Sequence, residues 1–118
     1  MSAADRDPGT ALCEYAEKAG AWDSLVATSA KKANPIFDRL HGLAKSLRAT
    51  PEGRAGLESL MGHALPGVRL LASTECLAWA PDAAIPVLEE IEGTSTLHAM
   101  SAKYTLKGYH AGTLDLDW

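Results

Sequence analysis

The chain has 118 residues and carries 11 basic against 15 acidic side chains, a formal charge of −4. That length supports one hydrophobic core and not two, since compact domains take about 100 to 150 residues. With 47% apolar and 22% charged residues the composition excludes a disordered chain, and the acidic balance argues against nucleic acid as a partner.

Aromatic and β-branched residues are sparse whereas Ala, Leu, Glu and Lys are abundant, so the summed local preference is for helix and the expected fold class is all-α. Residues 1–9 are read as a disordered N-terminus: Asp5, Arg6 and Asp7 precede no apolar run. No apolar stretch approaches the roughly 20 residues that cross a bilayer, so neither export nor membrane insertion is expected and the location is read as cytoplasmic. Cys13 and Cys76 lack metal or redox spacing and read as small buried apolar residues.

Thr10 can cap a first helix whose stripe is Leu12, Tyr15, Ala16 and Ala19, with a bend at Gly20 before Trp22, Leu25 and Val26. Asn34 followed by Pro35 reads as the start of a second helix, because Asn offers a capping oxygen and Pro suits the first helical position. There Ile36, Phe37, Leu40, Leu43, Ala44 and Leu47 cover an arc of about 120°, opposite Lys31, Asp38 and Lys45. Thr50, Pro51 and Glu52 repeat the start signal for a third helix striped by Leu57, Leu60, Met61 and Ala64. A fourth helix from Val68 to Trp79 is apolar on several sides and is expected at the centre. Pro81 and Asp82 open a fifth with Ala83, Ala84, Val87, Leu88 and Ile91 inside and Glu89, Glu90 and Glu92 outside, Pro86 falling in or near its first turns. Thr94 or Ser95 can cap a sixth, carrying Leu97, Met100, Tyr104 and Gly108 on one side and ending at Gly112. Residues 113–118 alternate apolar and acidic, as an extended tail does.

Laying helices two and three over four and five at an offset of thirty pairs Leu40 with Leu70, Leu47 with Leu77, Pro51 with Pro81, Leu57 with Val87 and Met61 with Ile91. Such repeats imply helical hairpins stacked into a superhelix with one continuous core. The segment from Leu65-Pro66-Gly67-Val68-Arg69 to Ala72 resembles the loop-to-helix part of HEAT-type repeats. With Lys32-Ala33-Asn34, Phe37-Asp38-Arg39-Leu40-His41, Ala80-Pro81, Pro86-Val87-Leu88-Glu89-Glu90 and Ser101-Ala102-Lys103-Tyr104-Thr105-Leu106, the chain from about Leu12 to Leu114 resembles the bacterial DUF2019 family. The resemblance implies an α-α superhelix of about six helices, HEAT/ARM-like in stacking, and supplies no activity. The chain departs from that pattern at Pro35 and in its acidic, Trp-ending tail.

The histidines His41, His63, His98 and His110 have no metal-site spacing, and there is neither a nucleophile elbow nor a Gly-rich phosphate loop, so no metal, cofactor or catalytic centre is expected. Asp38 and His41, three apart on one helix, can do acid-base work or simply fix that helix to its neighbour. Arg69 and Glu75, the two charges in the fourth helix, are expected in a structural ion pair or buried network. Residues 31–54 hold Lys31, Lys32, Arg39, Lys45, Arg48 and Arg54, while residues 70–102 hold five acids and no Lys or Arg. The acids Glu89, Glu90, Glu92, Asp115 and Asp117 around the aromatic Trp118 suit steering and anchoring of a basic protein. Small acidic helical-repeat proteins of bacteria serve as immunity partners of secreted toxins, so the expected function is a non-enzymatic protein-binding module of that kind. The alternatives are a small enzyme or ligand-binding protein using the Asp38 and His41 surface, or a structural interaction domain.

Overall fold

Prolines and small polar residues set where the helices begin, and the computed structural model, which describes residues 8–116, contains no strand among them. Six helices follow one another: α1 (Pro8–Leu25), α2 (Ala30–Leu47), α3 (Pro51–Ser59), α4 (Pro66–Cys76), α5 (Pro81–Glu92) and α6 (His98–Ala111). A short 3-10 turn, Leu60–Gly62, extends α3.

Pro8 opens α1 and the helix runs through Gly20 without a break, so residues 8 and 9 are helical and Thr10 is not the cap. Ala11, Tyr15 and Ala19 are its buried stripe; Cys13 lies on the other side and is exposed, unlike the buried Cys76. In α2 the Ser29 hydroxyl accepts the Lys32 N–H at 3.3 Å, so the helix starts before Asn34 and Pro35 falls inside it. Proline is tolerated there because the bond it forgoes lies at the solvent-exposed start of the helix, and Pro35 itself is exposed. Pro86 is likewise inside α5 and exposed. Thr50 accepts the Gly53 N–H at 3.0 Å and caps α3 as its sequence signal implies. Arg54 Nε donates to the Arg48 carbonyl at 2.9 Å, so α3 closes the C-terminus of α2. Gly53 leaves no room for a side chain: a Cβ there would stand 1.9 Å from the Leu47 carbonyl oxygen.

The central helix is α4, which packs on α1, α3, α5 and α6. It is shorter than its apolar run, beginning with Pro66 at the first position and giving way to a turn after Cys76. Val68, Ala72 and Cys76 are fully buried on it, as is Leu77 directly after its end. Thr94 does not cap α6; its hydroxyl donates to the Ile91 carbonyl at 2.6 Å and closes α5 instead. Gly112, at φ 73°, ends α6 in a left-handed turn in which Gly112 N–H reaches the Tyr109 carbonyl at 3.1 Å and Thr113 N–H the Gly108 carbonyl at 2.9 Å.

One carboxylate oxygen joins three helices. Asp23 Oδ1, in the last turn of α1, accepts the Gly67 N–H of α4 at 2.8 Å and lies 2.8 Å from His98 Nε2, at the first residue of α6. Helix α4 has no side-chain cap of its own at Leu65, so Asp23 satisfies one of its orphan amides from another helix and places a negative charge at its positive end. Trp22 stacks on the His98 ring with centroids 5.5 Å apart. These contacts turn His98 inward, and the buried face of α6 is His98, Ala102 and Leu106, while the row Leu97, Met100 and Tyr104 that the spacing sets on one side is exposed.

Leu77→Ala should cost about 2–5 kcal/mol in chemical denaturation, because the side chain is fully buried and a cavity would remain. A loss under about 1 kcal/mol would remove α4 from the centre of the core. Gly67→Ala places a Cβ 2.2 Å from Asp23 Oδ1, whereas Gly62→Ala meets nothing within 4 Å. The first should destabilise by about 1–3 kcal/mol and the second by less than about 0.5 kcal/mol, and equal effects would show that the Asp23 bridge is dispensable.

Candidate functional site

Between α1, α2, α4, α6 and residues 114–116 lies a cavity of about 410 Å³. That is the size of a small-ligand site. Tyr15 and Trp22 reach it from α1 and Phe37 from α2, and Trp22 and Phe37 are tilted neighbours with centroids 6.4 Å apart. Leu70 and Leu71 of α4 form apolar wall opposite. The Gly112 turn brings Leu114 and Leu116 back onto the core, half-buried, while Asp115 between them is exposed and lines the cavity with Ser101 and Thr105.

Three ionisable side chains enter this apolar surround: His41 and Arg48 from α2 and Glu75 from α4. Glu75 and Arg48 are 4.0 Å apart, at the outer limit of an ion pair. Neither Glu75 oxygen accepts a hydrogen bond among the described residues, although its side chain is only 17% exposed and Oε2 is wholly buried. Burial holds the Glu75 carboxyl above the usual carboxylate range, with Arg48 opposing. Burial, with the Glu75 charge adding to it, also pushes the Tyr15 hydroxyl far above its ordinary value, so this phenol stays neutral. Cys76, just outside the cavity, is pushed up to about 12 by burial and by Glu58 and Glu75, which removes it from thiolate chemistry at neutral pH.

The residues singled out in the sequence separate into distinct places. His41, Glu75 and Asp115 share the cavity. Asp38 is exposed on α2 and does not line it, so Asp38 and His41 are not brought together as a reactive pair there. Glu89, Glu90 and Glu92 are exposed at the C-terminal end of α5, away from the cavity. Arg69 bridges α4 to α5, pairing with Glu90 Oε1 at 2.9 Å and donating from Nε to the Met61 carbonyl at 3.1 Å. Glu75 therefore faces Arg48 and not its helix-mate Arg69. Asp117 and Trp118 lie outside the described residues.

Sequence reasoning passed over Tyr15, Trp22 and Arg48 as site residues, and Tyr15 and Trp22 looked like ordinary core. The one available signal was Glu75 itself, an acid set in the most apolar helix. Among the described residues no group of three or more His, Cys, Asp or Glu is placed to hold a metal ion, and no helix is long and apolar enough to cross a membrane.

A carboxyl whose proton affinity is raised by folding contributes stability when protonated and loses it as pH climbs from the ordinary carboxylate value through its own. The stability of the protein should therefore decline over that window through Glu75. Glu75→Gln should be more stable than the parent at neutral pH, with the difference closing under acid conditions; thermal melts at several pH values read this directly. A variant less stable than the parent at neutral pH would make the Arg48 pair, and not burial, the dominant influence.

No curated protein and no solved structure matches the chain. The family model for a domain of unknown function, DUF2019, matches residues 16–109. Those residues span α1 to α6 and every helix that frames the cavity, and the protein belongs to the DUF2019 family.

Proposed function

We propose that this protein is a cytoplasmic protein-binding module, an immunity protein that neutralises a secreted bacterial toxin by covering its active site, and that it performs no catalysis itself. The observation carrying this reading is the outer face of α6. Leu97, Met100 and Tyr104 are 53%, 56% and 60% exposed, and they recur at spacings of three and four, the register of an apolar anchor stripe laid into a partner's groove. Isolated exposed apolar residues are ordinary; an aligned row at the start and along one face of α6 supports a docking role.

The acids at the adjoining end of α5 support a basic partner, while Lys103 and Lys107 are exposed on α6 itself. Glu89, Glu90 and Glu92 occupy the last turn of α5, which has no basic residue, although the negative end of the helix dipole disfavours acids there. Arg69 offsets Glu90 alone. A local electrostatic cost retained at the surface fits a role in steering a cationic protein to the adjoining α6. The same acids repel nucleic acid. In this reading the hairpins α2–α3 and α4–α5 are HEAT-like units that hold α6 as a rigid edge, and Trp118 adds a second aromatic anchor.

The test begins with the neighbouring reading frame of the genome, expressed as a toxin with and without this protein. Growth should be restored by co-expression. Tyr104→Ala should shorten the lifetime of the complex about tenfold, roughly 1.4 kcal/mol. Glu89→Lys with Glu92→Lys should slow association, an effect that fades with added salt; both leave the Arg69–Glu90 pair intact. Binding kinetics unchanged by both sets of substitutions would remove α6 and the α5 acids from the interface, and growth inhibition unaffected by co-expression would end the immunity reading.

A further inference from the structure

We propose that the cavity between α1, α2, α4 and α6 is a receptor for a compact organic cation, a primary ammonium carried on an aromatic or branched apolar body, with the Glu75 carboxylate as its counter-ion. The site is separate from the outer stripe of α6, and its test needs no partner protein. Four observations converge on this ligand chemistry.

The volume, about 410 Å³, is that of a small-molecule site. Its walls are mostly apolar, with the rings of Tyr15, Trp22 and Phe37 on one side. Aromatic faces attract ammonium groups most strongly where water is excluded. The Glu75 carboxylate accepts no hydrogen bond among the described residues, and its Arg48 partner stands 4.0 Å away. A buried carboxylate left this way lacks the compensation that buried charges require, and a ligand N–H at ordinary ionic hydrogen-bond distance supplies it. The residual exposure of its side chain, 17%, gives such a donor access. Finally, among the described residues the carboxylates lining the cavity are Glu75 and Asp115, with the Arg48 guanidinium also in the wall; a carboxylate ligand would add repulsion from Glu75 in a low-dielectric setting, whereas an ammonium group would not.

The rim explains entry. Ser101, Thr105 and Asp115 line the cavity and are small or polar, and Ser101 and Asp115 are exposed, so a polar head can enter on this side while the apolar body settles on the rings and leucines. The ammonium can arrive on a free amine or on the lysine side chain of a protein.

Titration of the full chain followed by amide NMR tests this with 2-phenylethylamine, the isosteric anion 3-phenylpropionate, neutral 2-phenylethanol, and N-acetyl-lysine methylamide as the side-chain source. The amine should bind, with shifts concentrated at Trp22, Phe37 and Thr105, and the anion should not. Tighter binding of the lysine derivative than of the free amine would assign the site to a protein's side chain, and the reverse order to a free metabolite. Glu75→Gln should weaken amine binding at least tenfold, and Ser101→Trp, on the exposed rim, should block it with the helical spectrum unchanged. Equal binding of amine and anion, or amine affinity unaltered in Glu75→Gln, would overturn the proposal.

Discussion

A single oxygen of Asp23 ties the ends of α1, α4 and α6 together, and the rest of the architecture depends on that contact. Helix α4 starts without a capping side chain, and its second residue is a glycine because a Cβ would collide with the carboxylate that caps it from α1. The same oxygen draws His98 inside, where Trp22 lies against its ring. Two consequences follow from one hydrogen-bonding centre. The inward turn of His98 decides which side of α6 packs on the core, and it sets its ring against Trp22, which also lines the cavity. A polar contact of this kind does more for geometry than for total stability, since its net worth is modest while the cost of leaving a buried partner unsatisfied is larger.

Much of the fold was legible in the sequence, and where it was, the signals were local. Thr50-Pro51 and Pro81 open helices where capping chemistry says they should, and Leu40, Leu43, Ala44 and Leu47 are buried as their spacing implies. The all-helical class, at 78% helix over the described residues, follows from composition and periodicity together. The errors have two causes: at α2 and at Thr94 one local contact won over another, and at α6 a tertiary contact decided. Ser29 caps α2 five residues before the Asn34-Pro35 signal, which leaves Pro35 exposed inside the helix. Thr94 served the helix behind it and not the one ahead. The phase of α6 was unreadable from its own stripe, since Leu97, Met100 and Tyr104 form as good an apolar row as His98, Ala102 and Leu106, and only Asp23, 75 residues from His98, breaks the tie.

The cavity was harder to foresee than the fold. His41, Arg48, Glu75 and Asp115 meet there from distant positions, and no spacing rule links them. Glu75 alone carried a trace, as a charge in an otherwise apolar helix, and the sequence implied an ion pair or network for Arg69 and Glu75 without naming a partner. The two charges of α4 have separate partners: Arg69 faces α5 and Glu90, Glu75 faces α2 and Arg48. Helical phase explains this, for residues six apart on one helix point more than 100° away from each other.

The turn at Gly112 has a further bearing on how such a protein can change over evolutionary time. Because the chain doubles back after α6, one wall of the cavity consists of Leu114 and Leu116, held in a segment with neither helix nor strand. Irregular segments accept substitution and changes of length more readily than packed helices do. The helices can thus stay constant under selection for folding while a few residues beyond them resize the cavity and alter the charge at its mouth. Part of the cavity's shape and of the charge at its edge is set outside the helices that carry Glu75 and the aromatic rings.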